Sequence, residues 1–237
     1  MSTAPSPLST HFDAARAEVY DNQFAAMQPI KDAAHLLIQI QFAGLPADAR
    51  ILMAGAGTGA EARYLAARFP RWHFTLIDPS APMLAVAKRH AEAEGFAERC
   101  TFIADYVAGA PLDAHDAATS LLVSHFLTET ETRQSFFEDI AARLKPGGLL
   151  FNLDLCADRQ AATFPEALDL WLGILEQSGV PEEMRANWVS SFGRVFGVHG
   201  PSQLEALIEA AGFTPPAPVF QAAMMRGWTA AKRQRPG

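Results

Sequence analysis

Ile51-Leu52-Met53-Ala54-Gly55-Ala56-Gly57-Thr58-Gly59 sets a short apolar run, of the kind that fills a buried strand, against three glycines at alternate positions. A helix-favouring segment, Ala60-Glu61-Ala62-Arg63-Tyr64-Leu65, follows at once. Glycine carries no Cβ and tolerates positive φ, so a ligand can lie directly on such a loop. The helix that follows turns its positive N-terminal end to the same place, which favours a polar or anionic ligand.

Working outward, apolar runs and helical patterns alternate. Residues 11–20 read as a short helix, and Ile30, Ala33, Ala34, Leu37 and Ile38 mark a buried helix over about 29–43. Strands are expected over 50–55, 72–77, 100–104, 117–124 and 149–155, with helices over 59–69, 81–94 and 130–144 between them. Ser80 is a suitable N-cap, with Pro82 in the first turn and Gly95 past the end. Thr128 with Glu131, and Ser202 with Glu205, have capping-box spacing. Lys145-Pro146-Gly147-Gly148 reads as a turn. After residue 157 the alternation breaks for an amphipathic helix around Leu168, Trp171, Leu172 and Leu175. Two last strands follow over 219–224 and 227–231. This pattern predicts a doubly wound, Rossmann-like α/β fold: a seven-stranded sheet with helices on both faces, N-terminal helices, and a helical insertion before the last strands. The organisation expected is a flexible tail over 1–10 and one domain over 11–237. Within that domain 11–45 forms a helical cap and 157–200 an insertion or lid.

Composition narrows the function. Of 237 residues, 49% are hydrophobic and 19% charged, a globular balance, and the net charge is −7. Such a charge makes a nucleic-acid partner unlikely, since those partners call for a basic face. Lys232-Arg233-Gln234-Arg235 reads as a solvated basic tail. Two cysteines, Cys100 and Cys156, supply neither a disulfide framework nor a four-ligand zinc site. The Ser/Pro/Thr-rich start lacks the apolar core of a signal peptide, and no run is long enough for a membrane span. A cytoplasmic protein with no membrane or metal partner is the expectation.

The glycine loop alone leaves the ligand open. Gly55-x-Gly57-x-x-Ala60 also fits the dinucleotide pattern, and Asp78 lies where a ribose-binding acid occurs in dehydrogenases. Three further motifs weigh against that reading: Asp78-Pro79-Ser80-Ala81-Pro82-Met83-Leu84, Ala104-Asp105-Tyr106, and Leu144-Lys145-Pro146-Gly147-Gly148. Taken in order with the glycine loop, residues 50–155 resemble a class I S-adenosylmethionine-dependent methyltransferase. The resemblance implies a donor site in which Gly55, Ala56, Gly57 and Gly59 face the methionine part. Asp78, with Pro79, takes both ribose hydroxyls. Asp105 accepts from the adenine amino group, the Tyr106 backbone amide contacts adenine, and Met83 lines its slot. Ser124, after the fourth strand, and Tyr20, an N-terminal aromatic that closes over the donor, complete the set. S-adenosylhomocysteine would be the product.

The acceptor is less legible. A base is needed only when the acceptor must lose a proton, and His125 and His199 are the candidates, with Glu129 and Asp154 behind them. Each histidine also suits a plain packing role. An Asn/Asp-Pro-Pro-Tyr/Phe motif is absent, since Val123-Ser124-His125-Phe126 stands in its place. No Pro-Cys follows the fourth strand, and Cys156 reads as a packed residue. The insertion carries Phe164, Trp171, Trp188, Phe192 and Phe196 with few basic residues. That suits a lid over a small aromatic or heteroaromatic acceptor, and equally a helical core or a homodimer contact. The leading expectation is O- or N-methylation of such an acceptor. One alternative, resting on overall layout, is a carboxy-S-adenosylmethionine synthase acting in tRNA modification. That family needs an arginine for the added carboxylate, for which Arg194 is the nearest candidate. The other alternative is an NAD(P)-binding oxidoreductase.

Overall fold

The computed structural model describes residues 13–112 and 115–234. The tail expected over 1–10 and Arg235 lie outside the described residues. In chain order the elements are α1 (Ala14–Gln23), α2 (Gln28–Phe42), β1 (Arg50–Ala54), α3 (Ala60–Arg68), β2 (His73–Ile77), α4 (Ala81–Ala93), β3 (Cys100–Ile103) and β4 (His115–Leu121). Then come α5 (Thr130–Arg143), β5 (Leu144–Leu155), α6 (Phe164–Gln177), α7 (Glu182–Ser190), α8 (Pro201–Ala210), β6 (Ala217–Ala222) and β7 (Met225–Ala231).

The strands form one seven-stranded sheet in the order β3-β2-β1-β4-β5-β7-β6. The four pairings among β1 to β5 are parallel, whereas β7 runs antiparallel to both β5 and β6. Period-2 alternation divides the core between the faces. Ile51 and Met53 of β1 join a cluster with Ile38 and Phe42 of α2 and Leu65 of α3. Leu52 and Ala54 join Phe137 and Ile140 of α5 and Leu204 and Ile208 of α8 on the other side. A strand covered on both faces is apolar along its whole length, as Ile51–Ala54 is. The strand order reverses between β1 and β4, so their carboxyl ends splay apart and leave a crevice.

Ser80 caps α4 as expected, its Oγ accepting from the Met83 amide at 3.3 Å, and Gly95 turns the chain at φ +73°. Four local expectations are corrected. Helix α5 begins at Thr130 with Glu129 at the N-cap position and no side-chain cap. Arg133 Nε instead reaches back to the Leu127 carbonyl at 3.2 Å. Helix α8 begins at Pro201, whose fixed φ suits a first helical residue. Gln203 Oε1 accepts there from the Gly200 amide at 2.9 Å, and Glu205 is taken by the Trp228 indole N–H at 2.8 Å. Residues 145–148 are absorbed as an irregularity within β5, where pairing jumps from His115↔Leu144 to Ala117↔Leu149. Of the basic stretch, Lys232 is docked, its Nζ donating to the Leu144 carbonyl, while Arg233 stays exposed and pairs with Glu209 at 2.9 Å.

Candidate active site

The crevice at the carboxyl ends of β1 and β4 opens into a cavity of about 260 Å³. Gly55 and Gly57 form one wall, with Asp78 and Pro79 beside them and Met83, Asp105, Tyr106 and Val107 beyond. Gly55 has φ +79°, and a Cβ there would drive into the Val123 side chain. Bare backbone at this point is therefore a steric requirement, which is what a ligand cradle needs. Asp78 Oδ2 accepts from the Gly57 amide at 2.9 Å and its Oδ1 from the Ser80 amide at 2.8 Å. Burial raises the Asp78 carboxyl above its ordinary value, against the pull of those two amides. A carboxylate fixed by backbone keeps lone pairs for further donors, and a ribose diol offers two. Asp105 Oδ1 accepts from the neighbouring Tyr106 amide at 2.7 Å.

Ala56, Gly59 and Ser124 do not line this cavity. Gly59 is the N-cap of α3 at φ +78°, and the Ala56 amide donates to the Ile77 carbonyl. Ser124 is fully buried, and its hydroxyl donates to Asp154 Oδ2. Helix α1 borders the cavity through Tyr20. Thr58 Oγ1 donates to Asp21 Oδ1 at 2.7 Å, Arg89 pairs with Glu18, and Ala17 and Tyr20 pack on Met83 and Val86. The Tyr20 hydroxyl is pushed up to about 12 by burial and by the neighbouring Asp21.

A second cavity, of about 130 Å³, adjoins the first, and Tyr20, Leu122 and Phe126 line both. Its walls come from segments outside the alternating core: Phe24, Met27 and Lys31 from the N-terminal side, and Trp171, Leu175, Met184, Trp188 and Phe196 from the insertion. Trp188 organises the aromatic wall, with ring centroids 5.4 Å from Trp171 and 5.4 Å from Phe196. Leu122, at the end of β4, has φ +58°, an uncommon conformation for a bulky side chain and one that collects at functional sites.

His125 lines this second cavity. Its Nδ1 lies 2.6 Å from Oδ1 of Asp154, a fully buried residue on β5. Burial works to raise the Asp154 carboxyl, but His125, Arg133 and the Ser124 hydroxyl together hold it below the ordinary carboxylate range. With Nδ1 held by a carboxylate, Nε2 is the imidazole nitrogen that remains for other chemistry. His199 lies in neither cavity. Its Nδ1 accepts from Arg133 at 2.7 Å, and burial together with that guanidinium lowers its pKa. Glu129 lines neither cavity either.

Arg133, missed by the sequence reading, is fully buried and also donates to the Gly197 carbonyl at 2.6 Å. It ties the end of the insertion to the β4 loop, a link reinforced by the Gly197 amide on the His125 carbonyl at 2.7 Å. No sequence signal marks Arg133, which stands at a helix position that reads as solvated. Arg194 donates to the Ser190 carbonyl and lines neither cavity; among the described residues lining the first cavity there is no Lys or Arg. The Cys156 thiol is buried and pushed up to about 12, far from nucleophilic. No helix of the described residues is long and apolar enough to cross a membrane.

Residues 51–148 match the family model described as a methyltransferase domain. The chain is similar to the release factor glutamine methyltransferase of Chlorobaculum tepidum, 40% identical over 84 residues, which are 34% of this chain and 29% of that protein. Among solved structures it is similar to a mitomycin 7-O-methyltransferase, with TM-score 0.69 and 20% identity, covering 95% of this chain and 60% of the other. It is likewise similar to human N-acetylserotonin methyltransferase in complex with S-adenosylmethionine, with TM-score 0.67 and 19% identity, covering 98% and 61%. The chain thus spans under a third of that curated relative and about three fifths of those solved chains. The fold is that of the class I S-adenosylmethionine-dependent methyltransferases. Residues 51–148 thus resemble a methyltransferase domain carried on a shared fold.

Proposed function

We propose that this protein is a class I S-adenosylmethionine-dependent methyltransferase, and that it methylates a small aromatic or heteroaromatic acceptor at a hydroxyl or ring nitrogen. The observation that carries the proposal is the pair of cavities sharing Tyr20, Leu122 and Phe126, with His125, held by Asp154, lining the second. The first cavity suits the donor. Asp78 would take the ribose hydroxyls, Met83 with Tyr106 and Val107 an adenine slot, and the Gly55–Gly57 backbone the methionine part. Asp105 would accept from the adenine amino group. Bound there, S-adenosylmethionine supplies an electrophilic methyl on a sulfonium. The second cavity suits a flat acceptor, which Trp171, Trp188 and Phe196 would hold against its wall.

Because the carbon is already activated, positioning and exclusion of water are the protein's main contributions. Helix α1 and the insertion supply both, which makes 11–45 the cap and 157–200 the acceptor lid of one catalytic unit. His125 would accept the acceptor's proton on Nε2, while Asp154 holds the ring by Nδ1 and stabilises the cation that forms. A carboxylated cofactor is less suited to the first cavity, whose described lining offers no cation to meet the extra charge.

The test is methyl transfer from labelled S-adenosylmethionine to a panel of phenols, catechols and hydroxyquinolines. S-adenosylhomocysteine should form only when an acceptor is present, and Asp78→Ala should abolish its formation. A chain that binds the cofactor yet methylates nothing in the panel overturns the acceptor assignment.

A further inference from the structure

The second cavity is not simply apolar. Its polar lining consists of Arg16, Gln23, Lys31 and His125, with the Tyr20 hydroxyl at the shared wall. Among the described residues that line it there is no carboxylate, although the chain as a whole carries a net charge of −7. Two cationic side chains and no acid on one small wall run against the composition of the molecule.

Lys31 is the telling member. It sits on α2 and is partly buried, with Nζ 5.8 Å from the centroid of the Tyr20 ring. It forms no ion pair among the described residues. Asp21 exerts the favourable field, but its Oδ1 is taken by the Thr58 hydroxyl. Burial lowers the Lys31 pKa, and the field of Asp21 offsets that only in part. A partly buried ammonium without a direct counter-charge gains most from an anion that arrives with the ligand.

We propose that Lys31 is the anchor for an anionic group on the acceptor, so that the acceptor is an aromatic acid such as a hydroxybenzoate. The proposal rests on the acceptor assignment of the second cavity. Trp171 and Trp188 hold the ring, Lys31 takes the carboxylate, and the hydroxyl to be methylated is left toward Phe126 and His125. Lys31 thereby selects the acceptor and takes no part in proton transfer.

The test uses hydroxybenzoates and the matching uncharged hydroxybenzamides as probes, with S-adenosylhomocysteine bound. Binding is read from quenching of tryptophan fluorescence and methylation from labelled cofactor. Wild type should bind the acids about tenfold or more tighter than the amides, the scale of one charge-assisted contact. Lys31→Gln should bring acid binding down to the amide level, with a far smaller change in amide binding, while Lys31→Arg should keep the preference. Equal cofactor affinity and melting temperature in the variants would exclude misfolding. No Lys31-dependent difference between acid and amide, including no binding of either, overturns the anchor. Acid preference without methyl transfer leaves the anchor standing and overturns the methylation reading. Methylation of phenols and amides without acid preference does the reverse.

Discussion

His125 Nδ1 lies 2.6 Å from Asp154 Oδ1, joining the loop after β4 to the adjacent strand β5 within the sheet's buried end. Through this contact an imidazole at the second cavity is held by a carboxylate that has no exposure to solvent. If Nε2 is the base, His125→Asn should lower kcat roughly 10²- to 10⁴-fold, the usual worth of a positioned general base. Affinity for S-adenosylhomocysteine should change less than about twofold, because His125 does not line the donor cavity. Single-turnover methylation and calorimetry separate the two effects. Unchanged kcat would assign His125 to packing.

Asp78→Ala should weaken cofactor binding about a hundredfold, since it removes a fixed charged acceptor, worth roughly 1.5–3 kcal/mol per hydrogen bond. The same substitution strips a partner from the Gly57 and Ser80 amides, so the melting temperature should also fall. Calorimetric titration with S-adenosylhomocysteine at a temperature where the variant is folded checks the first effect.

Gly55→Ala meets two obstacles, the φ of +79° and the Val123 side chain. Strain of this kind costs about 1–3 kcal/mol, and any relief by shifting the loop displaces the donor wall. We expect a stable but lower-melting protein with cofactor binding below detection, measured by calorimetry beside wild type.

Two groups, buried His35 and half-buried Glu61, give the fold opposing pH dependences. His35 on α2 is buried against Tyr64, its ring centroid 5.0 Å away. Burial lowers its pKa from 6.5 to about 4. Between those values the unfolded chain binds the extra proton, so this contribution is present above pH 6.5 and lost as pH falls toward 4. Glu61, whose Oε1 is sealed from solvent, is raised by burial from 4.5 to about 7. Its contribution is full below pH 4.5 and lost as pH rises through 7. Glu61→Gln should therefore raise the melting temperature by several degrees at pH 8 and leave it unchanged at pH 4.5. His35→Gln should flatten the loss of stability between pH 6.5 and 4, a limb worth up to about 3 kcal/mol. Thermal melts across pH 4–8 check both.

Arg133→Met should destabilise the protein by roughly 3 kcal/mol, because it leaves the Gly197 and Leu127 carbonyls without their buried donor. The insertion would lose its tie to the β4 loop, so KM for the acceptor should rise with little change in cofactor affinity. Denaturant unfolding and steady-state kinetics report on the two effects separately.

What was legible in the sequence was local or periodic. The glycine loop, the strand runs around Ile51–Ala54 and 117–121, and the Ser80 cap are each decided within a few residues, and each appears near its expected place. What was illegible depends on partners distant along the chain. Arg133 is buried only because Gly197 and His199, more than sixty residues away, bring acceptors to it. Lys232 docks, half-buried, because the carbonyl of Leu144 is there to receive it. The capping-box spacing at Thr128 and Ser202 was present, but Arg133 and Pro201 set those helix starts instead. Positive φ at Leu122 has no residue-type signal at all, since leucine is rarely found there.

Tyr20 stands in the partition between the two cavities, on a helix fastened to the glycine loop through Asp21 and Thr58. Most of the second cavity's remaining wall is free to vary without touching the first cavity, because it comes from the insertion and from the N-terminal helices. Tyr20 has no such freedom. A substitution there reshapes both sides at once, so it should show strong epistasis with changes at Trp171 or Trp188 and little tolerance by itself. In a lineage that trades one acceptor for another, the insertion would diverge first, and the tyrosine of the partition would be among the last positions to yield.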